Sequence, residues 1–165
     1  MIKIAQHIFG KQLVLFSALG LFLLSSFARC LPQAQPAQGS VIHVEVVGLR
    51  SSKGQVSCSL YSSAEGFPKK AQDAVAHTVA PISDQKAVCE FPGIAPGTYA
   101  VSVYHDENSN GKLDTNFLGI PREGVGASNN AHGHMGPPKF DSAKFQWAGA
   151  WVNLEITINY LRGGL

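Results

Sequence analysis

The chain has 165 residues, with thirteen Lys and Arg against eleven Asp and Glu and 45% hydrophobic residues. That length supports one domain with a substantial core and is too short for two comfortable ones. The formal charge of +2 comes from the first thirty residues, where Lys3, Lys11 and Arg29 lie without any acidic residue. The remainder carries ten basic against eleven acidic side chains, and so small a net charge, with no basic patch, excludes a nucleic-acid surface.

Residues 1–30 read as a signal peptide. Lys3 and Lys11 form a positive start, and residues 13–27 are almost wholly apolar. Such a run is too short for a comfortable membrane span and fits a secretory leader. Ala28 and Cys30 stand at the −3 and −1 positions of a cleavage point before Leu31. Cleavage there is favoured over a lipid anchor at Cys30, because the bulky, charged Arg29 precedes the cysteine. Residues 31–40, rich in Pro, Gln and Ala, are a short flexible lead. The expected location is therefore periplasmic or extracellular, with no membrane span in the mature chain.

From residue 41 to 162 the pattern is that of strands. Residues 41–49 place Ile42, Val44 and Val46 on one face, and residues 55–61 do the same with Val56, Cys58 and Leu60. The cluster Ser51-Ser52-Lys53-Gly54 between them predicts a turn, and the two runs read as a hairpin. Residues 62–72 are a loop, with one helical turn at the 69–76 end. A short edge strand at 77–81 and another strand at 86–91 follow. Residues 92–97 then hand over to a strand through Tyr99, Val101 and Val103, and residues 151–161 close the chain. No stretch sustains a helical period. Short alternating strands with Pro and Gly turns predict an all-β fold: an immunoglobulin-like antiparallel β-sandwich of about seven strands with a long ordered loop.

Cys58 and Cys89 share the parity of their apolar neighbours, so both face one core. Export makes a disulfide between them possible, and the alternative is two buried free thiols.

The most informative stretch follows the Tyr99–Val103 strand. Asp106, Asn108 and Asn110 stand at alternate positions before Gly111 and Asp114. A calcium loop of the EF-hand type takes oxygen ligands at positions 1, 3, 5 and 9, a carbonyl at 7 and a glycine at 6. Asp106, Asn108, Asn110, the carbonyl of Lys112, Asp114 and Gly111 fill these places. Position 12 departs from the pattern. A bidentate glutamate belongs there, Phe117 occupies it, and Glu123 is the nearest later carboxylate. Calcium is the cofactor this predicts. The competing reading is a polar turn, because Asn110-Gly111 is a hairpin signal.

Residues 114–146 carry five glycines and three prolines, with Phe117, Leu118, Ile120, Met135, Phe140 and Phe145 as apolar anchors. A long connection of this kind is usually functional or disordered, and the anchors predict an ordered cap over one end or face of the sandwich. Together, residues 106–146 are an acidic loop plus a Gly/Pro-rich cap. His132 and His134 lie in this cap, and His105 precedes the acidic loop. Three converging imidazoles would bind zinc or copper, which defines an alternative: a metal-dependent enzyme using His105, His132 and His134. A third class is a carbohydrate-binding module with Trp147, Trp151 and Tyr104 as stacking residues, against which stands their burial as core aromatics. Ser102 and Ser109 have no nucleophile-elbow setting, so no catalytic residues are assigned.

Gly-Leu-Arg-Ser-Ser-Lys-Gly-Gln-Val (48–56), Ala-Glu-Gly-Phe-Pro (64–68), Pro-Gly-Thr-Tyr-Ala-Val (96–101), His-Asp-Glu-Asn-Ser-Asn-Gly-Lys-Leu-Asp-Thr-Asn-Phe-Leu-Gly-Ile-Pro (105–121) and Ser-Asn-Asn-Ala (128–131) resemble domain-of-unknown-function family 2141. The resemblance covers nearly all of the chain after the leader, and 105–121 is its most specific part. It implies an exported bacterial protein without an assigned activity. The strand followed by an Asp/Asn/Gly loop is also similar to immunoglobulin-like surface repeats. The expectation is an exported, non-enzymatic binding or surface module, with an envelope protein or a glycan as partner. N-terminal sequencing of the exported protein should begin near Leu31; an intact Met1 in a soluble cytosolic form would exclude export.

Overall fold

In a computed structural model of the chain, residues 40–161 are described. The leader, and the lead up to residue 39, lie outside them. Eight strands are formed: β1 (Val41–Val47), β2 (Gln55–Tyr61), β3 (Ala76–Pro81), β4 (Ala87–Pro92), β5 (Gly97–Asp106), β6 (Val125–Ala127), β7 (Phe145–Trp147) and β8 (Val152–Thr157). A single helical turn, α1 (Phe140–Ala143), lies between β6 and β7. The fold is an all-β sandwich of two sheets, one ordered β4-β1-β8 and the other β3-β2-β5-β6, with β7 also pairing β5.

The alternation read in β1 is the reason for this arrangement. Ile42, Val44 and Val46 are fully buried, and the residues between them are half-buried. They meet Val56, Cys58 and Leu60 of β2, Val101 and Val103 of β5, Phe91 of β4 and Ile156 of β8 in one core. Two sheets that each bury one face against the other produce this pattern.

The predicted β1–β2 hairpin is not formed. β1 pairs with β4 and β8, whereas β2 pairs with β3 and β5, so the turn at 51–54 carries the chain from one sheet to the other. Both strands have a complete apolar face. Pairing them in one sheet would leave those faces side by side rather than opposed, and opposition across the core buries both. The β1–β8 pair is parallel, an exception in an otherwise antiparallel arrangement. Parallel neighbours need a long crossover, and nearly the whole chain between residues 47 and 152 supplies it.

β2 is buried on both faces along most of its length. Its outer face, with that of β5, is covered by the 62–70 loop and the cap. Phe67 stands edge-on to Tyr61 and to Phe140 at ring separations of 5.3 and 5.8 Å, and Ala100, Ala127 and Ala143 pack beneath them. The part of the long loop around Ser128 and Phe140 thus packs on the outer face of the larger sheet, whereas Phe117, Leu118 and Met135, expected as anchors, are exposed. Ser128 is its fastening point. Its hydroxyl accepts from the Val101 N–H at 2.9 Å and donates to the Ala143 carbonyl at 2.7 Å. The neighbouring Asn129 donates to the Lys144 carbonyl, and Asn130 accepts from the Thr157 N–H.

Cys58 of β2 and Cys89 of β4 are joined across the core, with Cα atoms 6.4 Å apart. The bond therefore ties one sheet to the other. It closes a loop with a sequence separation of 31, for which chain entropy gives a stabilisation of about 3–4 kcal/mol. Replacing both cysteines by Ala should lower the unfolding free energy in urea by about that amount. An unchanged denaturation midpoint would contradict it.

Candidate functional site

The acidic loop begins where β5 ends. β2 and β5 are in register so that Gln55 lies opposite Asp106. Asp106 has no exposed surface, and a buried carboxylate is tolerated only with donors around it. Three N–H groups supply them. Asn110 N donates to Oδ1 at 3.0 Å, and Gly111 N and Gln55 Nε2 donate to Oδ2 at 2.8 and 2.9 Å. The first two bonds fold the loop back over its own first residue. Gly111 has a φ of 74° and Ser109 one of 57°, while Asn110 is not among the positive-φ residues. The simple hairpin turn, with positive φ at both Asn110 and Gly111, is therefore not what is formed. Gly54, at a φ of 73°, is pressed against the Asp106 carbonyl, where a Cβ would collide with backbone.

The expected ligand positions gather in part. Asp114 accepts from Asn108 Nδ2 at 2.8 Å on one carboxylate oxygen and from Asn110 Nδ2 at 3.2 Å on the other. The Asn108 and Asn110 oxygens accept in turn from the Asn110 and Lys112 N–H groups. Three of the four side chains thus converge, but the amides present nitrogen to Asp114. Glu107, at an intervening position, turns away and pairs with Arg50 at 2.6 Å.

Glu123 enters from the far side of the loop. It is 5% exposed, and its two oxygens accept from the Glu107 and Asp114 N–H groups at 2.9 Å each. The single carboxylate that the sequence offered in place of the missing position 12 therefore clamps both ends of the 106–114 loop. All five oxygen-bearing side chains are hard donors of the type calcium takes. Hydrogen bonding leaves the Asp114 and Glu123 oxygens with lone pairs, since an ionised carboxylate has about four acceptor sites. Among the described residues, no three His, Cys, Asp or Glu side chains are grouped as metal ligands.

His105 is fully buried beside this loop, and both ring nitrogens are engaged. Nε2 lies 2.8 Å from the Lys53 carbonyl, which only accepts, so Nε2 carries the proton there. Nδ1 lies 2.7 Å from the Tyr160 hydroxyl, which donates to it in this tautomer. That hydroxyl accepts from the Arg50 N–H at 3.0 Å, and the Arg50 guanidinium lies over the Tyr160 ring at 4.6 Å. Burial raises the Tyr160 pKa above its ordinary value and outweighs the lowering by the Arg50 N–H, so the hydroxyl keeps the proton it donates. His132 and His134 are exposed in the cap. Of the three aromatics considered for stacking, Trp147 is buried and donates to the Ile94 carbonyl at 2.9 Å, Tyr104 is half-buried, and Trp151 is exposed.

The model of a bacterial family described as "Uncharacterized protein conserved in bacteria", domain-of-unknown-function family 2141, matches residues 44–155. The chain belongs to this family. No curated protein and no solved structure matches the chain. The family match runs from within β1 into β8, so most of the sandwich, with the 106–114 loop, Glu123 and Ser128, lies within it.

Gln55, Glu123, Arg50 and Tyr160 were not assigned to the site from sequence. Gln55, Arg50 and Tyr160 reach it from strands and turns distant in the chain, whereas Glu123 follows the loop closely and its carboxylate gives a local signal. Tyr160→Phe should cost about 1–3 kcal/mol in urea unfolding, because it leaves a buried His105 nitrogen without its donor. A stability equal to the parent's would show that this bond contributes nothing.

Proposed function

We propose that this member of the family is an exported, non-enzymatic β-sandwich module whose 106–114 loop is stabilised by calcium and serves binding or display at the cell envelope. The observation that carries this reading is the convergence of Asn108 and Asn110 on Asp114, in a loop closed by Asp106 at the end of β5 and bound at both ends by Glu123. The Cys58–Cys89 bridge is compatible with an oxidising compartment. No helix among the described residues is long and apolar enough to cross a membrane.

Asp106, Asn108, Asn110 and Asp114, with the Lys112 carbonyl, would hold the ion, and Glu123 would support it from the following segment. The ion would supply charge compensation and rigidity. The chain's own part is to pre-form the loop through Asp106 and Glu123. With few formal charges in the set and Phe117 at position 12, the dissociation constant should be on the order of 10⁻⁴–10⁻³ M, as in extracellular modules. His105 serves the fold in this reading, since both its nitrogens have partners.

A thermal melt in excess calcium and in chelator tests it. Ion at about ten times its dissociation constant stabilises by roughly 1.4 kcal/mol, and the melting temperature should rise by a few degrees. Asp114→Ala should abolish the rise while preserving the fold, because Asp114 is only half-buried. Asp106→Ala is less informative, since it also removes the acceptor that folds the loop. Equal melting temperatures for the parent in both buffers, with no heat of calcium binding, would reduce the loop to a self-contained polar turn.

A further inference from the structure

Beyond the acidic loop, the chain continues into a second projection that the proposed function does not use. Phe117 is 94% exposed and its neighbour Leu118 68% exposed, side by side at the tip of a reversal. The reversal is built to hold that shape. Thr115 and Pro121 form a β-bridge across it, Asn116 N donates to the Ile120 carbonyl, and Arg122 N donates to that of Asp114. At the tip, the Asn116 side-chain oxygen accepts from the N–H groups of both Leu118 and Ile120, at 3.0 Å each, and Gly119 N donates to the Asn116 carbonyl. The N–H groups of residues 118–120 are thus satisfied within the tip itself.

We propose that this prong is a membrane-contact element that seats Phe117 and Leu118 in the interface of an anionic lipid bilayer. Backbone groups entering an apolar medium must already be paired, or each adds a penalty of several kcal/mol. This tip meets that requirement for the N–H groups of residues 118–120. The shape is convex, and two side chains offer only about 300–400 Å² of apolar surface. That is well short of the roughly 1,000 Å² a specific protein interface needs, whereas a bilayer requires no matching surface. The exposed charge beside the prong selects the lipid. Of the carboxylates around it, Asp106 and Glu123 are buried, Glu107 pairs with Arg50 and half-buried Asp114 accepts from Asn108 and Asn110, whereas Lys112 and Arg122 are exposed on either side of it in sequence and make no ion pair among the described residues. Free cations beside an apolar tip suit acidic headgroups. Contact through two side chains is reversible, and it adds to any other membrane attachment of the chain.

The test places a reporter at the tip of the full-length chain: Phe117→Trp in a Trp151→Phe background, in chelator so that the outcome is independent of the proposed calcium loop. Trp147 remains as a buried, constant background. Vesicles of phosphatidylglycerol and phosphatidylcholine, with bromine on the acyl chains, should shift the emission to the blue and quench it. Phosphatidylcholine alone should do so more weakly. Adding Lys112→Gln and Arg122→Gln should reduce the population showing that shift and quenching on the anionic vesicles about tenfold or more. Emission that stays unshifted and unquenched on the anionic vesicles would overturn the proposal, whether or not the chain is otherwise held on the vesicle. Undiminished shift and quenching in the charge variant would overturn the assignment to anionic lipid.

Discussion

A carboxylate with no exposed surface has to be compensated by the fold, and Asp106 imposes that requirement where the β2–β5 pair runs into the acidic loop. Its donors come from Gln55, opposite it on β2, and from Asn110 and Gly111, just beyond it in the chain. The register of the β2–β5 pair therefore determines whether the loop can close, and the closed loop terminates β5. Because an uncompensated buried charge is far more costly than a mis-set surface turn, this interaction couples the order of the loop to the integrity of the larger sheet.

A second layer surrounds it. His105, one residue earlier, joins Lys53 to Tyr160, and Arg50 connects Tyr160 to Glu107. The turn between β1 and β2, the end of β5 and the segment after β8 are held by these few hydrogen bonds. Glu123 completes the arrangement by binding both ends of the loop. A polar network of this kind stabilises only when all its members are paired, and here the histidine that a metal reading would use is consumed in the pairing. The same economy governs the cap: Ser128, fully buried, fastens it to β5 and α1 through one hydroxyl.

The cap and the prong also differ in their relation to solvent. The cap packs Phe140 against Phe67, which itself stands against Tyr61, as apolar side chains in a loop ordinarily do. The prong leaves Phe117 and Leu118 outside, although the N–H groups of residues 118–120 are paired within it. Order without burial locates a surface feature rather than a folding one, since the energy that orders this tip comes from hydrogen bonds and not from contact of its apolar side chains.

Much of this protein was legible in its sequence because the relevant forces act locally. The period-two alternation of residues 41–47 and 55–61 identified strands and their buried faces, parity placed Cys58 and Cys89 toward one core, and the spacing of Asp106, Asn108, Asn110, Gly111 and Asp114 marked a single loop. Which strands neighbour one another is decided by how complete apolar faces are opposed, and no local pattern contains that information. Hence β1 and β2, adjacent in sequence, belong to different sheets, and the three-residue strands β6 and β7 are too short to show a period. The partners of Asp106 and His105 lie about fifty residues away, at Gln55, Lys53 and Tyr160, and only the folded register brings them within hydrogen-bonding distance. The sequence by itself determined the longer strands, their buried faces and the position of the loop; the tertiary structure alone decided their neighbours, because strand pairing and burial of polar groups are set by distances in space rather than along the chain.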